Sequence, residues 1–393
     1  MKIVQLNQVC FASTGKIALG ISRVLDANDI ENYILYTTGG CDKENAIRYG
    51  SIIDTKFSAL LAKVFGSYGF YSFYNTWCLF KELDRIKPDI IHIHNIHGHN
   101  VHLGKLFHYI KKHNIKVVWT FHDCWAFTGY CPHFVYEKCY KWEQVCKHCT
   151  QYRKFSKIFD RSQSLFLRKF TAIRGVKSLS VVTPSEWLAK LAKNSIFEHC
   201  PITVINNGID LDLFKPTKSN FRQKYGLDGK KILLGVAIGF SDRKGFSFYI
   251  KLAKRIDPDT VIVMVGVSKA QIKTLPDNII GIERTNNQKE LAEIYTAANV
   301  FLNCTLAENF PTVNLEALAC GTPVVTFNTG GSVESATDGV GAVVAQGDIK
   351  AMYQEAKRLM AIDKISEKCR EAAVRKYDER ERYIDYIELY KNI

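Results

Sequence analysis

Short apolar runs alternate with amphipathic stretches along the whole chain. This alternation favours parallel sheets built from strand–helix–strand units, so we predict an α/β protein. In the first half, the apolar runs predict strands at Lys2–Leu6, Tyr33–Tyr36, Ile90–Ile93, Lys116–Thr120, Ser180–Thr183 and Thr203–Ile205. Helical periodicity covers Gly15–Asp26, Phe57–Lys87, Val101–His113 and Ser185–Ser195.

The second half repeats the pattern after an Asn-Gly step at 207–208, which marks a loop. We therefore predict two doubly wound domains, 1–208 and 209–375, with a last helix at about 376–393 that is a candidate to pack back on the first domain. Its predicted strands are Lys231–Val236, Thr260–Val265, Ile279–Gly281, Val300–Asn303 and Pro323–Phe327. Its predicted helices are Gly245–Ile256, Gln288–Ala298, Pro311–Cys320, Ile349–Ala361 and Lys364–Leu389.

Composition and charge narrow the class of protein. The 393 residues are 47% hydrophobic, which excludes a disordered chain, a collagen and a small disulfide scaffold. The net charge is +14, of which residues 1–208 carry +12 (27 Lys+Arg, 15 Asp+Glu). Such asymmetry indicates either a polyanionic partner for the first half or ordinary solubilising charge.

The opening segment and the lengths of the apolar runs bear on where the protein lies in the cell. The opening segment MKIVQLNQVCF predicts a strand rather than a signal peptide, and no apolar run is long enough to span a membrane. We therefore expect a cytoplasmic protein with reduced thiols.

The stretch Ala307–Pro323 carries the most informative motif. A polar loop follows a predicted strand, and a helix then starts near Pro311, so its free N–H groups form an anion site at the carboxyl end of the sheet. Glu308 and Glu316 are separated by seven residues, and carboxylates accept hydrogen bonds from hydroxyls. Phosphate and hydroxyl recognition together indicate a nucleotide-sugar, whereas a capped surface helix is the simpler alternative.

These residues resemble the signature of family-four retaining glycosyltransferases. Glu308, Glu316 and the following ALACGTPVV match it, and VTPSEWLAKLA, VINNGIDLDLFKP, Lys244-Gly245 and ELAEIYTAANVFL occur in the family's order. GFYS at 69–72, IIHIHNIHG at 90–98 and HDCWAFTGYC at 122–131 are similar to the bacterial capsule, O-antigen and colanic-acid branch. The resemblance implies the GT-B fold, two Rossmann-like domains that face an interdomain cleft.

The resemblance also implies roles in the second domain, which would bind the nucleotide-sugar. Glu308 would hold donor-sugar hydroxyls, Glu316 the ribose, and Lys244 the departing diphosphate. The family commonly has an Arg five residues before that Lys, where this chain has Gly239; Arg243 either replaces it or faces solvent. The sugar and diphosphate would meet backbone amides of Asn309, Phe310, Pro311, Thr312 and Val313, of which Pro311 itself has no N–H.

The first domain would bind the acceptor. The predicted turn at Ser13–Lys16 includes Thr14 and Gly15, which would approach the donor. His122 follows a predicted strand and matches the family histidine that contacts the donor sugar; a buried His bonded to a backbone carbonyl is the alternative.

By resemblance, the reaction is transfer with retention, in which the leaving diphosphate takes the acceptor proton. We expect no metal or other cofactor requirement, and a UDP-sugar rather than a GDP-sugar as donor. The acceptor would be an oligosaccharide linked to polyprenyl diphosphate at the anionic inner face of the plasma membrane. The alternatives are a nucleic-acid-binding protein, which lacks a reader motif here, and another sugar-nucleotide enzyme of the same fold.

Cysteines and histidines form two further clusters. Cys131, Cys139, Cys146 and Cys149 have spacing that predicts a structural zinc site, with buried free thiols as the alternative. The five histidines at 92, 94, 97, 99 and 102 cannot all face one ion, because the first two already lie on a strand.

The segment Val64–Phe80 contains eight aromatic residues and no charge. It predicts either an interfacial element at a bilayer, flanked by Lys56, Lys63 and Lys81, or packing against the first sheet.

Overall fold

The computed structural model describes residues 1–337 and 339–393, which form two compact units. The first unit comprises Met1–Asn206 and Tyr383–Ile393, and the second comprises Asn207–Arg382. The chain therefore leaves the first unit close to the Asn-Gly step and returns to it with its last residues.

The first unit contains a seven-stranded sheet in the order β3-β2-β1-β4-β5-β6-β7, in which every neighbouring pair is parallel. Its strands are β1 (Lys2–Leu6), β2 (Glu31–Tyr36), β3 (Ala46–Arg48), β4 (Ile90–Ile93), β5 (Lys116–Thr120), β6 (Leu179–Thr183) and β7 (Ile202–Val204). Its helices are α1 (Ala12–Ala27), α2 (Ile52–Phe65), α3 (Phe73–Ile86), α4 (Leu103–His113), α5 (Tyr152–Phe155), α6 (Ser162–Ile173) and α7 (Glu186–Lys193).

The second unit repeats this architecture with six parallel strands in the order β10-β9-β8-β11-β12-β13. Its strands are β8 (Lys231–Val236), β9 (Thr260–Val265), β10 (Ile279–Ile282), β11 (Val300–Asn303), β12 (Val324–Phe327) and β13 (Gly341–Val344). Its helices are α8 (Phe221–Lys224), α9 (Phe246–Ala253), α10 (Lys269–Ile272), α11 (Gln288–Ala297), α12 (Thr312–Ala319), α13 (Ile349–Met360) and α14 (Ile365–Tyr377), and α15 (Glu379–Asn392) ends the chain.

Both faces of each sheet are buried. Along β5, Val117 and Trp119 belong to one apolar cluster and Val118 to another, because successive side chains of a strand point to opposite faces. Leu233 and Leu234 of β8 divide between two clusters in the same way. The predicted α/β class with two doubly wound parallel sheets is therefore confirmed.

Two predicted helices are each interrupted. The helix predicted at Phe57–Lys87 is α2 and α3, because Gly66 ends α2 in a left-handed conformation (φ 84°). The helix predicted at Lys364–Leu389 is α14 and α15, separated at Asp378, whose extended backbone pairs with Ile209. The apolar residues keep a helical spacing through both interruptions, so the sequence pattern predicted one helix where the structure has two.

The end of the chain is held by tyrosines. Tyr383, Tyr386 and Tyr390 of α15 are buried in the apolar cluster that includes Ile3 and Val118. The Tyr390 hydroxyl lies 2.6 Å from His92 Nδ1, so this helix is part of the first unit's core.

Within the described part of the chain, none of the helices combines the length and the apolar character that crossing a bilayer requires.

Candidate active site

The second sheet places two loops at its topological switch point. β8 and β11 are neighbours, with β9 and β10 on the far side of β8 and β12 and β13 on the far side of β11. The chain order thus runs outward to both sides, so the loops after β8 and β11 diverge and leave a crevice. Lys244 lies in the first of these loops and Glu308 in the second. This is where open α/β sheets bind ligands.

The two side chains form an ion pair. Lys244 Nζ lies 2.6 Å from Glu308 Oε2, and the side chains are 25% and 18% exposed. Burial raises the pKa of Glu308, but the charge and hydrogen bond of Lys244, the charge of Arg243 and the Asn309 N–H outweigh it, so the pKa lies below its usual value. Glu308 is therefore held as a carboxylate.

Arg243 is bound to the Glu308 loop. Its Nη1 donates to the Ala307 carbonyl at 2.9 Å, and its own carbonyl accepts the Leu306 N–H at 2.8 Å. Of the two alternatives from the sequence, the structure has the side chain on the loop rather than directed into solvent. Gly239 has φ of +79°, which disfavours an L side chain at that position.

Gly245 allows the Lys244 loop to approach β11. A Cβ at Gly245 would lie 2.2 Å from the Cys304 carbonyl oxygen, and its φ is +79°. Only glycine tolerates both the positive φ and the close contact. In the Lys-Gly pair, Lys244 therefore supplies the charge and Gly245 allows the backbone conformation.

The helix α12 begins at Thr312 with Pro311 as its N-terminal cap residue. Asn309 and Phe310, predicted to line the donor site, are 8% and 4% exposed, and the Phe310 carbonyl accepts a hydrogen bond from Asn207 Nδ2 at 3.0 Å. Thr312 and Val313, the other predicted residues here, are half-buried in the first turn. The segment before α12 is therefore largely buried and hydrogen-bonded to Asn207.

Glu316 lies inside α12 and is 5% exposed. Its Oε2 accepts a hydrogen bond from the Tyr295 hydroxyl at 3.0 Å. Burial, together with the Glu316 charge, raises the pKa of Tyr295 far above its usual value, so Tyr295 stays a donor.

Sequence reasoning missed a buried amide network behind this helix. Asn303 ends β11 and donates to Asn314 Oδ1 at 2.8 Å, and Asn314 Nδ2 donates to Ser332 Oγ and Ser335 Oγ at 3.2 and 2.8 Å. The network ties α12 to β11 and to the loop after β12. Asn303, a polar residue at the end of the apolar run Val300–Asn303, was the only feature of the sequence that pointed to this network.

The first unit holds a second cluster at its own switch point, between β1 and β4. Gln5 Nε2 donates to the Ala18 carbonyl at 3.0 Å, so its Oε1 is the atom that accepts from His94 Nε2 at 2.9 Å. His94 Nδ1 then accepts from His122 Nε2 at 3.1 Å. This order of donors makes both histidines Nε2–H tautomers.

His122 is a neutral side chain at physiological pH. Burial lowers its pKa to about 4, with Asp123 opposing the shift. A pocket at the ends of β4 and β5 is lined by His94, His97, His122, Asp123 and Trp125, among others. His122 thus lies on the wall of a concave site, as its position after β5 predicts.

Asp123 forms a pair with His97 in the same pocket. Their Oδ2 and Nε2 atoms are 2.9 Å apart, and the Trp125 N–H donates to Asp123 Oδ1 at 2.8 Å. Burial raises the pKa of Asp123, but His97 and the Trp125 N–H outweigh it and hold the pKa at about 2. This pair is not among the residues predicted from the sequence.

Thr14 and Gly15 lie in the first turn of α1 rather than in a preceding loop, because the helix begins at Ala12. A Cβ at Gly15 would lie 2.5 Å from the Cys10 carbonyl carbon, so glycine is needed for backbone packing here. Thr14 Oγ1 accepts from Asn7 Nδ2 at 3.3 Å.

The structural zinc site at Cys131, Cys139, Cys146 and Cys149 stays a prediction. Across residues 1–337 and 339–393, no three His, Cys, Asp or Glu side chains are arranged to hold a metal ion. Cys146 Sγ accepts the Gly129 N–H at 3.2 Å, and a hydrogen bond between the Cys131 and Cys149 thiols lowers the pKa of Cys149 to about 7. Cys139, the fourth predicted ligand, is half-buried and, like the other three, is a free cysteine.

Each of the two units has polar side chains at the switch point of its sheet. Comparison with known proteins identifies the chain as a glycosyltransferase of the GT-B type. The family model described as "Glycosyltransferase Family 4" matches residues 15–213, and the one described as "Glycosyl transferases group 1" matches residues 217–376. The chain belongs to glycosyltransferase family 4.

The chain is similar to the putative colanic acid biosynthesis glycosyl transferase WcaC of Escherichia coli, with 21% identity over 78% of this chain and 77% of that protein. This match confirms the predicted resemblance to the colanic-acid-type branch. Among solved structures, sucrose-phosphate synthase from Thermosynechococcus elongatus has a TM-score of 0.73, with 16% identity over 100% of this chain and 98% of its own. Anabaena HepE in complex with UDP-glucose has a TM-score of 0.68, with 15% identity over 100% of both chains. The two structures show the shared fold.

Proposed function

We propose that this enzyme transfers a sugar, with retention of configuration, from a UDP-sugar to an oligosaccharide linked to polyprenyl diphosphate. The product would be a bacterial surface polysaccharide, and the enzyme would act at the inner face of the plasma membrane. The Lys244–Glu308 pair at the switch point of the second sheet carries the proposal. The similarity to WcaC supports the pathway, and the UDP-glucose complex of HepE supports the donor class.

The pair suits a donor that has both hydroxyls and phosphates. A carboxylate held ionised accepts hydrogen bonds from sugar hydroxyls, which is the role we assign to Glu308. Lys244, with Arg243 beside it, supplies positive charge to the diphosphate as its negative charge grows. The amides at the start of α12 add the partial positive charge of a helix N-terminus.

Glu316 is assigned to the ribose hydroxyls. Tyr295 bonds one of its carboxylate oxygens at 3.0 Å and thereby orients the group. Because Glu316 is buried, a hydroxyl that reaches it forms its hydrogen bond away from water, where such bonds are stronger.

The transfer step needs no carboxylate nucleophile. The bond between the anomeric carbon and the diphosphate breaks, and its electron pair leaves with the diphosphate. The acceptor oxygen forms the new bond on the same face, and its proton passes to the departing phosphate oxygen. In this scheme His122, neutral at physiological pH, contacts the donor sugar by hydrogen bonding rather than by charge.

A screen of nucleotide-sugars with lipid-linked acceptor extracts tests the proposal. We expect release of UDP from one UDP-sugar and a product whose anomeric proton coupling shows retention. Glu308→Gln should lower the rate by about a hundredfold or more, which is the typical cost of losing one preorganised hydrogen-bonding group in an active site. Glu198→Gln, at a side chain 61% exposed in the first unit, is the matched control.

Turnover or binding with none of the nucleotide-sugars would remove the enzyme proposal. A wild-type rate in a folded Glu308→Gln variant would remove the assigned role of that carboxylate. An inverted product would reject the retaining step alone.

A further inference from the structure

The helix α2 has the reverse of the usual amphipathic arrangement. Its buried side chains are the small or polar Thr55, Ser58 and Ala62. Its large apolar side chains point into solvent: Ile53 is 75% exposed, and Phe57 and Leu60 are each 57% exposed. Spacings of four and three residues place these three on one face of the helix.

Hydrogen bonds hold the helix in this orientation. Thr55 Oγ1 accepts from Asn75 Nδ2 at 2.9 Å, and Ser58 Oγ accepts from the Ser72 N–H at 2.8 Å. Rotating α2 to bury Phe57 would break both contacts and leave buried polar groups unpaired. The exposed apolar face is therefore a fixed part of the fold.

The first turns of α3 extend the surface. Ser72 and Asn75, which contact α2, flank Phe73 and Tyr74, and these are 54% and 51% exposed. Trp77 follows at 51% exposed. We name the set Ile53, Phe57, Leu60, Phe73, Tyr74 and Trp77 the α2–α3 face. Monomeric proteins rarely expose apolar patches larger than several hundred square ångströms without a binding role.

Positive charge surrounds the α2–α3 face. Lys56 and Lys63 of α2 are exposed. Lys81 Nζ lies 3.6 Å from the Trp77 ring centroid, and Lys105 Nζ lies 5.2 Å from that of Phe73. Asp54, the one acid of α2, accepts the Asn75 N–H.

We propose that the α2–α3 face docks on an anionic lipid bilayer. The aromatic and aliphatic side chains would enter the headgroup–acyl boundary, while the lysines meet lipid phosphates. A second copy of this chain fits less well, because a two-fold contact would bring the lysines of both faces together. The inference deepens the proposed function, on which it rests for its biological role, since a polyprenyl-linked acceptor is presented at such a surface.

Vesicle binding tests this without any donor or acceptor. The probes are vesicles of phosphatidylcholine with phosphatidylglycerol in equal amounts, and vesicles of phosphatidylcholine alone. We expect co-sedimentation with the anionic vesicles, weakened by salt, and at most weak binding to the neutral ones. Trp77 fluorescence should shift to the blue on binding, since Trp77 is 51% exposed, whereas Trp119, Trp125 and Trp142 are buried and Trp187 is half-buried. Trp77→Phe should remove most of the shift and keep the binding.

Paired variants locate the surface. Phe57→Ser with Leu60→Ser should weaken vesicle binding about tenfold or more, because two apolar side chains no longer enter the bilayer. Both positions are exposed in the free protein, so circular dichroism and the melting midpoint should change little. Val374→Ser, at a 47% exposed position of α14, is the matched control and should bind as the wild type does.

Absence of binding to anionic vesicles, or wild-type binding by the double-serine variant, would overturn the proposal. A concentration-dependent dimer that the same two substitutions abolish would assign the face to a second copy, which also overturns it. Vesicle binding by a protein that turns over no nucleotide-sugar would retain this surface and reject only the proposed function.

Discussion

His122 is oriented by a chain of hydrogen bonds that runs back through His94 and Gln5 to the α1 backbone. The Gln5 amide sets the direction of donation along these hydrogen bonds, because Gln5 Nε2 donates to the Ala18 carbonyl at 3.0 Å and only Oε1 is left to meet His94. Each following donor is then determined, and both imidazoles carry their proton on Nε2. Gln5 therefore acts as a positioning residue for the histidine assigned to the donor sugar.

Replacing Gln5 tests this order. In Gln5→Leu, His94 loses the acceptor for its Nε2–H, so it can instead donate from Nδ1 to His122, whose proton moves to its own Nδ1. Imidazole ¹⁵N shifts at neutral pH should report the exchange of tautomers. The transfer rate should fall about tenfold or more, because the reacting groups are misoriented. Gln144→Leu, at an exposed position, should change neither. Unchanged ¹⁵N shifts in Gln5→Leu would contradict the chain.

The sequence allowed prediction of the residues that lie next to a recognisable chain signal. Glu308 follows an apolar strand and precedes a helix start, so the local pattern located it, whereas Lys244 was identified through the resemblance to the family. The Asn303–Asn314 network and the Asp123–His97 pair depend on which strands become neighbours. That information arises only from tertiary packing.

At the scale of elements, α6 holds the segment that follows His122 and Asp123. Lys169 of α6 is 1% exposed, and its Nζ donates to the carbonyls of Trp125, Thr128 and Gly129 at 2.6, 2.9 and 3.3 Å. The same Nζ lies 3.6 Å from the Trp125 ring centroid. One buried lysine thus contacts three carbonyls in and just after the short 3-10 helix Trp125–Phe127, and burial lowers its pKa well below the usual value.

Lys169→Met keeps the aliphatic stem and removes the donors. We expect the free energy of unfolding to fall by about 3 kcal/mol, since three carbonyls lose the hydrogen bond from the lysine side chain. Denaturant unfolding measures this, and Lys193→Met on the exposed side of α7 is the control. Equal unfolding midpoints for Lys169→Met and the wild type would show that the three carbonyls find other hydrogen-bond partners without cost.

Elements with strong periodicity were predicted best. The strands β1, β4, β5, β8, β9 and β11 have the predicted bounds within a residue, because buried parallel strands are uninterrupted apolar runs. α6 was missed, since its buried face includes Ser162 and Lys169, which a polarity pattern reads as exposed. The division between α14 and α15 depends on the Ile209–Asp378 pairing, which is a long-range contact.

At the scale of the molecule, charge and burial combine in the first unit. Residues 1–208 carry +12 of the net +14 at neutral pH. Burial lowers the pKa of His99, His102 and His122 to about 4, and it lowers those of His92 and His94 well below the usual value. Protonating these side chains in the folded state would add charge to a unit that is already strongly positive.

Mild acid should therefore destabilise the protein. An unfolded histidine has a pKa of about 6.5, so as the pH falls from 6.5 to 5 the unfolded chain binds protons that the folded chain does not, and stability falls by about 1–2 kcal/mol per histidine. Denaturant unfolding at several pH values measures the slope. His102→Asn should make it shallower while keeping the cap of α4, where His102 Nδ1 accepts the Lys105 N–H at 3.2 Å. His199→Asn, at a side chain 93% exposed, should leave the slope unchanged. A flat free energy of unfolding between pH 6.5 and 5 would mean that the buried histidines accept protons without unfolding.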